Sequence, residues 1–204
     1  MRISLLRHGK TQGGDIYRGR TDVALTQEGL QQMQQANSGF VTAVDYLVSS
    51  DLQRCSAFAA LHSTSHVVDS RLQEMCFGDW DGKLRSDVWQ QHSAQVKAFW
   101  SDPMVASAPN GESVAHVQQR AMASLHEHLA SALAQGCKHM LVVTHGGVIR
   151  AILSELLQMQ PQALFNVEVP YGGVVCLNVS SFRDDAGKAD YHISVDFAAK
   201  RDFI

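Results

Sequence analysis

The feature that most constrains this chain is an apolar run that ends on a histidine and two glycines. Met140-Leu141-Val142-Val143-Thr144 stops abruptly at His145-Gly146-Gly147, after which Val148 to Leu157 reads as a helix. A short unbroken apolar run followed by a helical pattern is how a strand covered on both faces looks, and such strands build parallel sheets with crossover helices. The N-terminus repeats the arrangement, because Ile3 to Leu6 is apolar and leads into Arg7-His8-Gly9. Ligands of an open parallel sheet bind in the crevice beyond the carboxyl ends of its strands. The two imidazoles are therefore expected to converge there, although most of the chain separates them.

The remaining pattern fits strands alternating with helices. Thr26 is suited to cap a helix with Glu28 in its first turn and an apolar face of Leu30, Met33 and Ala36. Asp45 to Ser49 reads as a second strand, Leu52 to Leu61 as a helix and Val67-Val68 as a third strand. From Ser113 to Ala134, Val114, Val117, Ala121, Leu125, Leu129 and Ala132 recur at helical spacing, and Gly136 ends the run. Val174 to Val179 and the alternating Tyr191 to Phe197 supply two further strands. Between about residues 80 and 110 the periodicity loosens, as expected of a loop-and-helix excursion over an active site. No linker, repeat or low-complexity segment divides the 204 residues, so residues 1–204 are read as one domain. A hydrophobic fraction of 45% against 18% charged suffices for a well-buried core.

Several function classes are disfavoured. The net charge of −3, with no basic run interleaved with aromatics, argues against nucleic acid. No run approaches the length of a membrane span, and Met1 to Arg7 holds too few apolar residues before a charge for a signal peptide. Cys55, Cys76, Cys137 and Cys176 form no C-x-x-C pair and have no histidines at ligand spacing, so they read as reduced thiols of an unprocessed cytoplasmic protein. His126 and His128 diverge by about 200° around a helix and cannot share a metal there. No metal and no cofactor are expected, and His62, His66, His92, His116, His139 and His192 are read as structural. A homodimer is compatible with the sequence, which fixes no oligomeric state.

Arg7 beside His8, and Arg54 beyond the strand ending at Ser50, would bring two guanidiniums to the crevice. Arginine forks match phosphate oxygens with paired hydrogen bonds. A glycine after each histidine, Gly9 and Gly146, lets backbone approach a ligand, and an N–H at a helix start is a ready anion donor. Taken singly, each histidine is more often a hydrogen-bonded structural residue, each arginine a surface charge and Glu74 a strand-end carboxylate.

Six ordered blocks change that balance. They are Leu6-Arg7-His8-Gly9-Lys10-Thr11, then Gly19-Arg20-Thr21-Asp22 through Leu25-Thr26 to Gly29, then Ser49-Ser50-Asp51-Leu52-Gln53-Arg54. Leu72-Gln73-Glu74-Met75-Cys76-Phe77-Gly78-Asp79-Trp80-Asp81-Gly82, Asn110-Gly111-Glu112-Ser113 and Val143-Thr144-His145-Gly146-Gly147 complete them. In this order they resemble the histidine phosphatase superfamily, which also contains the cofactor-dependent phosphoglycerate mutases. The resemblance implies an α/β fold, a three-layer α/β/α sandwich with a mostly parallel central sheet, phosphoglycerate mutase-like. It implies that His8 becomes a phosphohistidine, that Arg7, Arg54 and His145 hold the phosphoryl oxygens, and that Glu74 acts first as acid and then as base, without a metal.

A histidine nucleophile must be neutral, and nearby Arg7, Arg54 and His145 would disfavour its protonation. Glu74 has the opposite need, a proton to donate near neutral pH, which burial or the substrate's charge would favour. Two positions depart from the family pattern. Lys10 stands where an acidic residue is usual, its side chain expected to point away from phosphate, and Gly14 replaces an asparagine, which removes one phosphate or substrate contact. The segment Thr11 to Asp22 looks most like the branch containing alpha-ribazole-5'-phosphate phosphatases. Gly9, Thr11, Tyr17, Arg18, Arg20 and Gly146 are the substrate-binding candidates, and Trp80, Trp89 and Trp100 are candidates for a base-sized pocket, at least two of them as ordinary packing.

The expected substrate is a small-molecule phosphate ester, with alpha-ribazole-5'-phosphate first and a broad-specificity phosphomonoesterase close behind. A phosphoglycerate mutase is disfavoured because the chain is short. A catalytically silent phospho-ligand-binding protein is disfavoured because His8, Arg7, Arg54, Glu74 and His145 are all present.

Overall fold

Strand β1 (Arg2–Arg7) lies at the centre of the sheet and is buried on both faces. A computed structural model describes residues 1–38, 44–63, 65–183 and 189–197. In chain order β1 is followed by α1 (Gln27–Ser38), β2 (Tyr46–Ser49), α2 (Gln53–His62), β3 (Val67–Val68), α3 (Arg85–Ser101), α4 (Val114–Ala134), β4 (His139–Thr144), α5 (Gly146–Leu156), β5 (Val174–Arg183) and β6 (Ala189–Asp196). The sheet order is β3-β2-β4-β1-β5-β6. The pairs β3·β2, β2·β4 and β4·β1 are parallel, whereas β1·β5 and β5·β6 are antiparallel. The strands expected after Val174 thus close one end of a mostly parallel sheet as a hairpin.

Alternation along the strands produces the three layers, since successive side chains point to opposite faces. Ile3, Leu5, Val48, Met140 and Val142 share one core with Val117, Ala121, Leu125 and Leu129 of α4 and Ile149 and Ile152 of α5. Leu6, Leu47, Leu141 and Val143 face the other way, onto Met33 of α1 and Cys55, Phe58 and Ala59 of α2. The helix starts follow from capping. Thr26 Oγ1 accepts from the Gly29 N–H at 3.0 Å, and the Ser113 side chain accepts from the His116 N–H at the start of α4.

The excursion contains a long helix, α3, bent at His92 (φ −133°, ψ 29°). The bend shifts the phase of the buried face between Val88 and Val96, which is why the sequence shows only loose periodicity there. Its C-terminal end, Phe99-Trp100, meets a 3-10 helix at Pro161–Asn166. All four cysteines are free. No helix among the described residues is long and apolar enough to cross a membrane.

Candidate active site

Register brings the two histidines together. Arg7 of β1 pairs with Thr144 of β4, and the ladder continues one residue further because the His8 N–H donates to the Thr144 carbonyl at 2.9 Å. His8 and His145 therefore leave adjacent parallel strands side by side, with ring centroids 5.1 Å apart. Two imidazolium charges at that spacing would repel by about 3 kcal/mol at an effective dielectric of about 20, so double protonation is disfavoured.

The hydrogen bonds fix both tautomers. His8 Nδ1 lies 2.7 Å from the Gly9 carbonyl, which can only accept, so Nδ1 carries the proton and Nε2 keeps its lone pair. His145 Nδ1 accepts from Arg54 Nε at 3.2 Å, and its Nε2 then donates to Ser50 Oγ at 3.0 Å. Burial is the main cause that lowers His8 to about 3, reinforced by Arg54, Arg7 and Arg18 against the opposing bond to Gly9. The sequence reading named only the cations; removal from water outranks them. His145, fully enclosed, is driven well below the ordinary histidine value by the same burial, then by Arg54 and His8.

His8, Arg7 and Glu74 line one cavity of about 350 Å³ together with Gly146 and Gly147 at the start of α5. Arg7 NH1 donates to the Val169 carbonyl at 2.5 Å, and its guanidinium lies 4.1 Å above the Tyr171 ring. Its Nε is buried without a hydrogen-bond partner, next to Gly146. Glu74 Oε1 accepts from the Met75 N–H at 2.9 Å and Oε2 from the Gly147 N–H at 3.2 Å.

Arg54 and His145 lie beneath this floor and are both fully buried. Arg54 also donates to the carbonyls of Gly19 (2.6 Å) and Thr21 (2.9 Å), so it ties the 19–21 loop to the histidine pair. Three of its five N–H groups are taken by these bonds, and the residue does not line the cavity.

The substrate-binding candidates separate into two groups. Tyr17, Arg18 and Gly146 line the cavity; Gly9, Thr11 and Arg20 do not. The space beside Gly9 is taken by the backbone of Gly29, which a Cβ at position 9 would overlap, so this glycine serves the approach of α1 to β1. Thr11 forms an isolated bridge with Leu25, and Arg20 pairs with Glu112 at 3.5 Å. Lys10 points to Glu28, 2.7 Å away. At Gly14 (φ +69°) the missing side chain leaves open space, and Arg18 donates to the carbonyls of Gln12 and Gly14.

One wall of the cavity is aromatic. Trp100 and Phe165 pack with centroids 4.2 Å apart and planes tilted by 55°, and Phe99 and Phe77 continue the surface. Of the three tryptophans only Trp100 lines it; Trp80 is core and Trp89 is half exposed near Lys97. The cavity also takes in Tyr171, Phe165 and Arg150, which no sequence motif marks, and Gly147 of the His-Gly-Gly step. Arg150 was still within reach of the sequence, because it follows Gly146 by one helical turn and so shares its face. Tyr171 sits in a loop with no periodic signal. His126 bonds to Tyr191, and His128 bonds to Asp69 and Tyr46, so both are structural. Among the described residues no group of three or more His, Cys, Asp or Glu is arranged to hold a metal ion.

The family model of the histidine phosphatase superfamily (branch 1) matches residues 3–189. The adenosylcobalamin/alpha-ribazole phosphatase of Escherichia coli (strain K12) is 30% identical over 187 residues, covering 84% of this chain and 87% of the relative. A 2,3-bisphosphoglycerate-dependent phosphoglycerate mutase of Cytophaga hutchinsonii is 26% identical over 198 residues, covering 89% of each. The crystal structure of the alpha-ribazole phosphatase from Shigella flexneri superposes with a TM-score of 0.78 at 24% identity, covering 98% of this chain and 97% of that one. With a matched region from β1 to the first residue of β6 and two histidines paired across adjacent strand ends, the chain belongs to the histidine phosphatase superfamily (branch 1).

Proposed function

We propose that this protein is a cytoplasmic, metal-independent phosphomonoesterase that dephosphorylates alpha-ribazole-5'-phosphate in cobalamin nucleotide-loop assembly. The observation that carries the reaction type is the tautomer of His8: a neutral imidazole with a free Nε2 lone pair in a cavity shared with Arg7 and Glu74. Nε2 attacks phosphorus, the P–O bond to the ester breaks, and the departing oxygen takes a proton from the Glu74 carboxyl. Water then attacks the phosphohistidine and loses its proton to Glu74; the P–N bond breaks and phosphate leaves. Arg7, with Arg54 beneath it, supplies fixed positive charge to the oxygens that gain charge in the transition state.

Support for the substrate comes from the aromatic wall. A planar base presents a flat apolar face, and Trp100, Phe165, Phe99 and Phe77 offer matching faces within the same cavity as His8. Relatives named for alpha-ribazole phosphatase activity favour the same reading. The test compares wild type and His8→Ala on alpha-ribazole-5'-phosphate, 3-phosphoglycerate and simple phosphate esters with chelator present. Preference for the ribazole ester, lost with His8, is expected. Equal turnover of all esters would indicate a broad phosphatase, and label appearing on another carbon of the sugar acid would indicate a mutase.

A further inference from the structure

Glu74 sits in a stretch with no regular structure, between the 3-10 turns at Ser70–Leu72 and Gly78–Trp80. No helix or strand ladder holds its backbone. One side chain from the core-facing helix α4 does so instead. Arg120 spends all five of its N–H groups here. NH1 donates to the carbonyls of Arg71 (2.7 Å) and Gln73 (2.6 Å), and NH2 to the carbonyl of Glu74 (3.1 Å) and Glu112 Oε2 (2.9 Å). Its Nε donates to Glu112 Oε1 at 2.9 Å. Glu112 grips the far side of the same stretch: Oε2 accepts from the Cys76 N–H and its own N–H donates to the Cys76 carbonyl, both at 2.8 Å.

We propose that Arg120, locked by Glu112, is the positioning residue that holds Glu74 at the leaving-group oxygen. The inference rests on the acid role of Glu74 proposed above. Both side chains are largely buried, 16% and 17% exposed, so the pair is shielded from solvent screening. Burial opposes the Glu112 carboxylate, but the bonds from Arg120 and the Cys76 N–H outweigh it and hold the group below the ordinary carboxylate value. No other side chain bonds to the carbonyls of both Gln73 and Glu74 among the described residues. A lysine has three donors and no fork, so it cannot reproduce five bonds in one plane.

A role through Glu74 is separable from a general structural one by the chemistry of the leaving group. An alkyl phosphate needs its departing oxygen protonated, whereas 2,4-dinitrophenyl phosphate releases a stable phenolate that does not. The quantity to read is kcat/KM, which reports transfer to His8 before water enters. For Arg120→Lys and Arg120→Met we expect kcat/KM on an alkyl phosphate to fall by at least about tenfold, and on the dinitrophenyl ester to stay within about threefold. Adding Arg120→Met to Glu74→Gln should cost nothing further on the alkyl ester. Glu112→Gln, which keeps its shape, should show a weaker form of the same selectivity. Equal losses on both esters in the Arg120 variants, or full additivity with Glu74→Gln, would overturn the inference. Equal losses on both esters in Glu74→Gln itself would sink the acid role, and this inference with it.

Discussion

Gly147 gives Glu74 both a hydrogen bond and the room to receive it: its N–H donates to Oε2 at 3.2 Å, and a Cβ at this position would overlap Oε1. Gly147→Ala must therefore push the carboxylate off its seat while leaving the helix start intact. The expected result is a loss of at least about tenfold in kcat/KM on alkyl phosphates. The melting temperature should move by no more than a few degrees, about what 1 kcal/mol shifts in a chain of this size. Unchanged kinetics would show that Glu74 does not depend on this contact.

Nε2 of His8 is the only group proposed to bond to phosphorus, so His8→Ala should abolish turnover by at least about a thousandfold. Acid quench is unsuitable because phosphohistidine is hydrolysed there. Rapid denaturation at alkaline pH with a labelled substrate should trap label on wild type and none on the variant. Label retained by His8→Ala would move the nucleophile elsewhere.

The two buried histidines have a consequence for stability. His8 drops from the ordinary value of 6.5 to about 3 on folding, chiefly through burial, so between those limits the unfolded chain binds a proton that the folded protein refuses. Stability then falls as the pH is lowered, by up to about 1.4 kcal/mol per pH unit for each such group, and is unaffected by it above 6.5. His145 acts in the same direction. Urea titrations from pH 7 to pH 4 should show a shallower loss in His8→Gln than in wild type; parallel slopes would contradict the neutral His8. In kinetics, the acidic limb of kcat/KM should not arise from His8.

Trp100 and Phe165 line the wall on which the base of the proposed ester would lie. Removing one of these rings, as in Phe165→Ala, should weaken a planar-base ester by about 1–3 kcal/mol, roughly 5- to 150-fold in kcat/KM, while glycerol phosphate changes little. A uniform loss on both esters would mean that the ring supports the fold rather than the base.

Much of the sheet, and the meeting of His8 with His145, was legible in sequence because both depend on short-range pattern. An apolar run ending in His-Gly marks a strand end, and the rule that ligands gather beyond such ends predicts the pairing of His8 with His145. Two things were not legible. The hairpin of β5 and β6 shows the same alternation whether parallel or antiparallel, and only partner choice decides it. The second concerns how contacts are shared out. Arg54 reads as a phosphate clamp but is also bound to two carbonyls and an imidazole, and Arg20 turns to Glu112 instead of the cavity. Such allocations depend on tertiary neighbours that no spacing encodes, which also hides Tyr171 and Phe165, whereas Trp100 stands among the tryptophans the sequence offers for a base-sized pocket.

The tilted pair Trp100 and Phe165 comes from the end of α3 and the 3-10 helix at Pro161–Asn166, whereas His8 and His145 follow the ends of β1 and β4. Under the proposed function, the nucleophile and the rings that would meet the ester's base therefore stand on separate lengths of chain, so redrawing two peripheral segments would alter which esters fit while both strand ends kept their geometry.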